Sequence, residues 1–222
     1  MRVLFVGEGP HDIGRHDRFA PDEAQRPGVV QVLARKVCPA LDEDSPALRW
    51  AELARFDPTA KKKGFAAKMK AAALIAERRL ACDGLVCVTD RDRDDDRARQ
   101  VTEGAAALAS TTRVAYGIAV ESVEAWTLGA PKALAEALDV PEKVVRAAYP
   151  HVAVEALYQN SGVSEHRPKD LLGRIAALAH QDSGQALRVA VAERTDTDAL
   201  ELACPEGFAP FAASLRTTFA RS

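Results

Sequence analysis

A chain of 222 residues with 47% hydrophobic and 28% charged side chains has the make-up of a globular protein, which excludes a disordered chain. A formal net charge of -2 excludes a uniformly basic nucleic-acid coat protein, yet leaves room for an enzyme that meets nucleic acid through a local patch. No apolar run reaches the roughly 18–20 residues of a membrane span. The apolar stretch after Met1 is too short for a signal peptide and ends at Gly7-Glu8-Gly9-Pro10. Cys38, Cys82, Cys87 and Cys204 show no CxxC spacing and read as free thiols, most of them buried. A reducing, cytoplasmic setting is expected.

In chain order, residues 2–6 form a short aliphatic run closed by Gly7 and read as a buried strand. Residues 11–27 are polar and broken by Gly14, Pro21 and Pro27, which predicts a long loop. Helical periodicity over 29–37 stops before Pro39, and alternation over 48–56 predicts a second strand. A helix over 65–80 follows Lys61-Lys62-Lys63-Gly64. Leu85-Val86-Cys87-Val88 marks a third buried strand ending at Asp90, 97–109 is helical, and 113–120 predicts a fourth strand ending at Glu121. Strands separated by helices imply crossover connections. The fold class expected is therefore α/β, with a mostly parallel four-stranded sheet flanked by helices. Beyond Glu121 only helices are predicted, over 123–128, 131–138, 142–148, 169–180 and 207–220. That pattern divides the chain into an α/β domain over 1–128 and a helical extension over 129–222 packed on it.

In an open parallel sheet, ligands bind beyond the carboxyl ends of the strands. Three strand ends here deliver carboxylates: Glu8 after the first, Asp90 and Asp92 after the third, Glu121 and Glu124 after the fourth. Crowded carboxylates repel one another unless a hard cation neutralises them, and Mg²⁺ is commonly held by one or two carboxylates plus substrate phosphates. Gly7 and Gly9 on either side of Glu8 allow close approach of the backbone to a phosphate.

An apolar strand followed by Glu-Gly, then a later apolar strand followed by Asp-x-Asp, resembles the Toprim domain of topoisomerases, primases and overcoming-lysogenization-defect (OLD) nucleases. The stretch Val120-Glu121-Ser122-Val123-Glu124-Ala125-Trp126 is similar to a motif of the DUF4276 group, small stand-alone Toprim-like proteins found near phage-defence genes. The resemblance covers roughly residues 1–128. It implies that Glu8 is a metal ligand or general acid/base, that Asp90 and Asp92 bind Mg²⁺ or Mn²⁺, and that Glu121, with Glu124 one turn on, serves a second metal. Asp12, with His11 beside it, takes the place of an acidic residue that family members carry soon after Glu-Gly. Lys169, at the start of a helix, is the candidate catalytic cation. Lys61, Lys62, Lys63 and Lys68 are candidates for tracking a nucleic-acid backbone, DNA more than RNA.

The resemblance implies a metal-dependent nuclease, with a role in phage defence. The chain has no Walker A sequence, so any ATPase is a separate partner. Two other readings stand beside it: a partner-dependent or non-catalytic subunit, and a phosphohydrolase of small nucleotides. Asp94, Asp95 and Asp96 read as first-turn charges of the following helix. Trp50 and Trp126 read as packing residues.

Overall fold

The computed structural model describes residues 1–14, 27–61, 64–91, 94–150, 152–157 and 163–220. Four strands, β1 (Val3–Gly7), β2 (Ala47–Arg49), β3 (Gly84–Asp90) and β4 (Arg113–Ala119), form one all-parallel sheet in the order β2-β1-β3-β4. Val3 to Val6 are all buried, and so are Leu85 to Val88. Such continuous apolar runs belong to strands covered on both faces. On one face Val3, Phe5, Val86 and Val88 pack with Leu33 of α2 (Val29–Val37). On the other, Leu4, Val6, Leu85 and Cys87 pack with α4 (Phe65–Leu80) and with Val101 and Ala105 of α5 (Asp95–Leu108).

The second strand differs from its expected span. It stops at Arg49, and residues Leu53–Phe56 form a helical turn, α3. The cause is local. The Glu52 carboxylate accepts from both the backbone N–H and the guanidinium of Arg49, at 2.9 and 2.8 Å. This turns the chain before the alternation can extend the strand. The segment expected to be a loop opens with a helical turn, α1 (Pro10–Ile13), and residues 15–26 of it lie outside the described residues.

The carboxyl-terminal region is helical: α6 (Val123–Leu128), α7 (Pro131–Leu138), α8 (Glu142–Ala147), α9 (Pro168–Leu178), α10 (Gln185–Arg194), α11 (Thr197–Ala203) and α12 (Phe208–Phe219). Helices α10 and α11 were not expected from the sequence. Part of this region forms its own core around Leu134, Val145, Leu172 and Ile175. Its last helix does something else, because Phe208, Phe211, Leu215 and Phe219 of α12 are fully buried in the core beneath the sheet. Trp126 stacks on Phe211 with ring centroids 5.4 Å apart and meets Phe208 edge-on at 5.4 Å. Both tryptophans are packing residues, as expected: Trp50 is also buried, and its indole N–H donates to the Val88 carbonyl at 3.1 Å.

Strand β4 is the outer strand of the sheet. Two hydroxyls of α12 reach its backbone. Ser214 Oγ accepts from the Tyr116 N–H at 3.1 Å, and Thr218 Oγ1 donates to the Val114 carbonyl at 3.2 Å. Cys38, Cys87 and Cys204 are buried free thiols, while Cys82 is partly exposed. Among the described residues no helix is long and apolar enough to cross a membrane.

Candidate functional site

The strand order fixes where a ligand fits. From β1 the chain leaves by α1 and α2 to β2 on one side, while β3 and β4 lie on the other. Helix α2 covers one face of the sheet, and α5, which follows β3, covers the opposite face. The connections therefore diverge at the carboxyl ends of β1 and β3, and such a switch point opens a crevice. Glu8 and Asp90 stand on either side of it.

Glu8 follows β1 directly and its side chain is 36% exposed. Its Oε1 accepts from the buried Thr89 hydroxyl at 2.8 Å and from Arg97 Nη1 at 3.2 Å. The same Nη1 donates to the Asp90 carbonyl at 2.8 Å, so one guanidinium ties the two strand ends together. Asp90 Oδ1 accepts the Val123 N–H at 3.1 Å, which links β3 to the first turn of α6. Arg97 lies in the first turn of α5, where its own N–H is capped by Asp94 at 3.1 Å. Asp94, Asp95 and Asp96 are helix-start charges, as expected: Asp95 pairs with Arg91 at 2.7 Å, and Asp96 pairs with Arg99.

A second charged group lies beside the first. Glu124 and Arg188 form a nearly buried ion pair at 2.6 Å, with side chains 12% and 6% exposed. Arg188 Nε also donates to the Ser183 carbonyl at 2.9 Å. Burial, the largest single influence, would raise Glu124, but the Arg188 charge together with hydrogen bonds from its own backbone N–H, Ser122 and Arg188 holds the carboxyl below its ordinary value. Asp12 sits in the same field. Burial first, and the Glu124 charge second, push it from 3.8 up to about 6, against the Gly9 N–H that it accepts at 2.9 Å. His11 is lowered, chiefly by burial and then by the Arg188 charge, with Lys169 adding to it. Lys169 is exposed in the first turn of α9.

The Asp12 carboxyl carries a pH signature. It binds its proton more tightly folded than unfolded, so its contribution to stability is complete below about pH 3.8 and is lost as pH rises to about 6. Asp12→Asn keeps an oxygen for the Gly9 N–H and removes the ionisation. We expect this variant to be more stable than the parent above pH 6, by on the order of 2 kcal/mol, with no gain at pH 4. Urea midpoints at pH 4 and 7.5 check this, and a gain equal at both pH values would contradict it.

Phe65, in the first turn of α4, meets Trp50 edge-on at 5.3 Å. Lys68 Nζ lies 4.9 Å from the ring centroid and the Arg97 guanidinium 5.6 Å from it. Two cations thus lie at one ring, and one of them, Arg97, is paired with Glu8. Of the residues expected to track nucleic acid, Lys68 is in this group. Lys62 and Lys63 lie outside the described residues, and Lys61 closes a 3₁₀ turn over Pro58–Lys61.

The expected acidic site is therefore gathered in part. Glu8 and Asp90 follow adjacent strands and are linked through Arg97, which binds the Glu8 carboxylate and the Asp90 carbonyl, and Asp92 lies outside the described residues. Glu121 is buried directly after β4. Glu124 and Asp12 belong to the Arg188 group, engaged with Arg188 and the Gly9 N–H. Among the described residues, no three Asp, Glu, His or Cys side chains gather closely enough to hold one ion. The donor set fits an ion held by one or two carboxylates with phosphate oxygens and water, and does not supply a closed protein cage. Arg97, Thr89 and Arg188 were not expected from the sequence. Arg97 had one signal, its place in the first turn after a carboxylate-bearing strand.

No protein-family model, no curated protein and no solved structure matches this chain. The functional reading rests on the geometry of the sheet's carboxyl edge.

Proposed function

We propose that the chain is a Toprim-like, metal-dependent phosphodiesterase that cleaves nucleic acid at the β1–β3 switch point. The observation that carries this reading is the placement of Glu8 and Asp90 on either side of that crevice, with Arg97 beside them and Lys68 at the ring that Arg97 also approaches. Carboxylates alone would repel a phosphodiester; carboxylates beside fixed cations suit a phosphate that arrives with a divalent ion. Mg²⁺ or Mn²⁺, held by Glu8 and Asp90, would neutralise phosphate charge and lower the pKa of a bound water. The protein's own groups then divide the work. Thr89 fixes the Glu8 carboxylate, the Val123 N–H orients Asp90, and Arg97 and Lys68 face the phosphate. Lys169, whose charge is felt at His11, is the candidate for a further cation. A role in phage defence belongs to the same proposal and rests only on the resemblance of the sequence motifs.

The test is cleavage of supercoiled plasmid, linear DNA and RNA with Mg²⁺, Mn²⁺ or EDTA. Metal-dependent cutting is expected, reduced by about a hundredfold or more in Glu8→Gln and Asp90→Ala, since each removes charge placed for the transition state. Cutting that survives both variants would assign the activity elsewhere. Release of phosphate from mononucleotides with polymers left intact would favour the small-nucleotide phosphohydrolase.

One observation favours a second reading, a subunit that acts only with a partner such as a separate ATPase. Glu8 and Glu124 are each held by an arginine, Arg97 and Arg188. Polymers left intact by the chain alone, but cut on adding a partner, would establish it.

A further inference from the structure

The Arg97 guanidinium holds a carboxylate oxygen of Glu8 that a divalent cation would need, together with the backbone carbonyl of Asp90. Its Nη1 is 3.2 Å from Glu8 Oε1 and 2.8 Å from the Asp90 carbonyl, and its Nε is 3.9 Å from Asp94 Oδ2. A guanidinium and a divalent ion compete for the same lone pairs of Glu8. The root of the side chain is fixed, because Asp94 caps the Arg97 N–H and α5 begins there. Phe65, whose N–H donates to Gln100 Oε1 at 2.8 Å, has its ring centroid 5.6 Å from the guanidinium. Lys68 rests on the same ring at 4.9 Å. Arg97 and Lys68 thus both lie at the Phe65 ring. The planar fork of a guanidinium matches phosphate oxygens better than any other side chain does.

We propose that Arg97 is the resident counter-ion of the carboxylate edge, that a divalent cation displaces it from Glu8, and that the displaced guanidinium then grips a backbone phosphate of the nucleic acid. This rests on the metal-dependent reading above. Metal entry and substrate grip become one event. Without the cation Arg97 is spent on Glu8, and with it Arg97 turns to the phosphate.

The test uses the full chain and its Arg97→Gln, Arg97→Lys and Glu8→Gln variants, with Mn²⁺ binding followed by electron paramagnetic resonance. Binding of a labelled phosphorothioate oligonucleotide in Mn²⁺ is followed by fluorescence anisotropy. Arg97→Gln is expected to bind Mn²⁺ about fivefold more tightly than the parent, with Arg97→Lys between them, because the competing charge is gone. Adding Glu8→Gln should erase that gain. The same Arg97→Gln chain should bind the oligonucleotide about fivefold more weakly, with Arg97→Lys restoring part of the loss. If the parent binds Mn²⁺ and Arg97→Gln binds it no more tightly, the counter-ion role is wrong and the metal-dependent reading stands. If neither binds Mn²⁺, both fall together. Unchanged oligonucleotide affinity in Arg97→Gln would overturn the phosphate grip.

Discussion

Arg188→Ala is expected to destabilise the folded chain by about 3–5 kcal/mol, because it leaves a buried carboxylate without its partner. The pair lies at 2.6 Å with both side chains nearly buried, and it joins α6, which follows the sheet, to α10. A loss of that size is a large fraction of the roughly 5–15 kcal/mol that holds a domain together. The stranded Glu124 would shift its pKa upward and take a proton instead, so the loss should shrink as pH falls toward 5. Glu124→Leu combined with Arg188→Met removes both charges and should recover most of the stability, since well-packed apolar replacements of buried pairs are often neutral. Urea denaturation of the single and double variants reads both effects. A single-variant loss under 1 kcal/mol would mean that the pair is solvated.

Phe211→Ala is expected to cost about 3–5 kcal/mol by leaving a cavity in the core. Phe211 is fully buried, stacks on Trp126 and lies directly over Gly117 of β4, where an added Cβ would meet its ring at 2.8 Å. The contact binds the last helix to the outer strand through nearly a hundred residues of intervening chain. Removing residues 208–222 altogether should therefore unfold the α/β part, rather than release an independent domain of residues 1–128. Thermal denaturation of Phe211→Ala and circular dichroism of the shortened chain distinguish a shared core from two separable ones. An intact, cooperatively folding fragment of residues 1–128 would show that α12 is dispensable.

The sheet was legible in the sequence because its strands are continuous apolar runs bounded by charged residues. Val3 to Val6 and Leu85 to Val88 are buried on both sides, and each run is closed within two residues by a carboxylate, Glu8 or Asp90. The helices at 29–37 and 65–80 were equally clear, since each buries one stripe of aliphatic side chains. Helix α10 was hidden by Arg188, a charged residue on the buried face beside Leu187 and Val191, which breaks the apolar stripe that marks a helix. The second strand was overread because alternation through Leu53 cannot show that Glu52 folds back on Arg49. For the site, the sequence identified the strand-end carboxylates but not their partners. Arg97 lies 89 positions from Glu8, and nothing in local spacing links them.

The hydroxyls of Ser214 and Thr218 on the outer backbone of β4 have a consequence for self-association. A bare outermost strand offers a row of N–H and C=O groups to any extended segment, and chains with such margins stack into fibres. Here a helix of the same molecule lends alcohol groups to the Tyr116 N–H and the Val114 carbonyl, so two of the groups on this margin are already taken. The helix that completes the hydrophobic interior thus also leaves β4 a poorer template for a second copy of the chain.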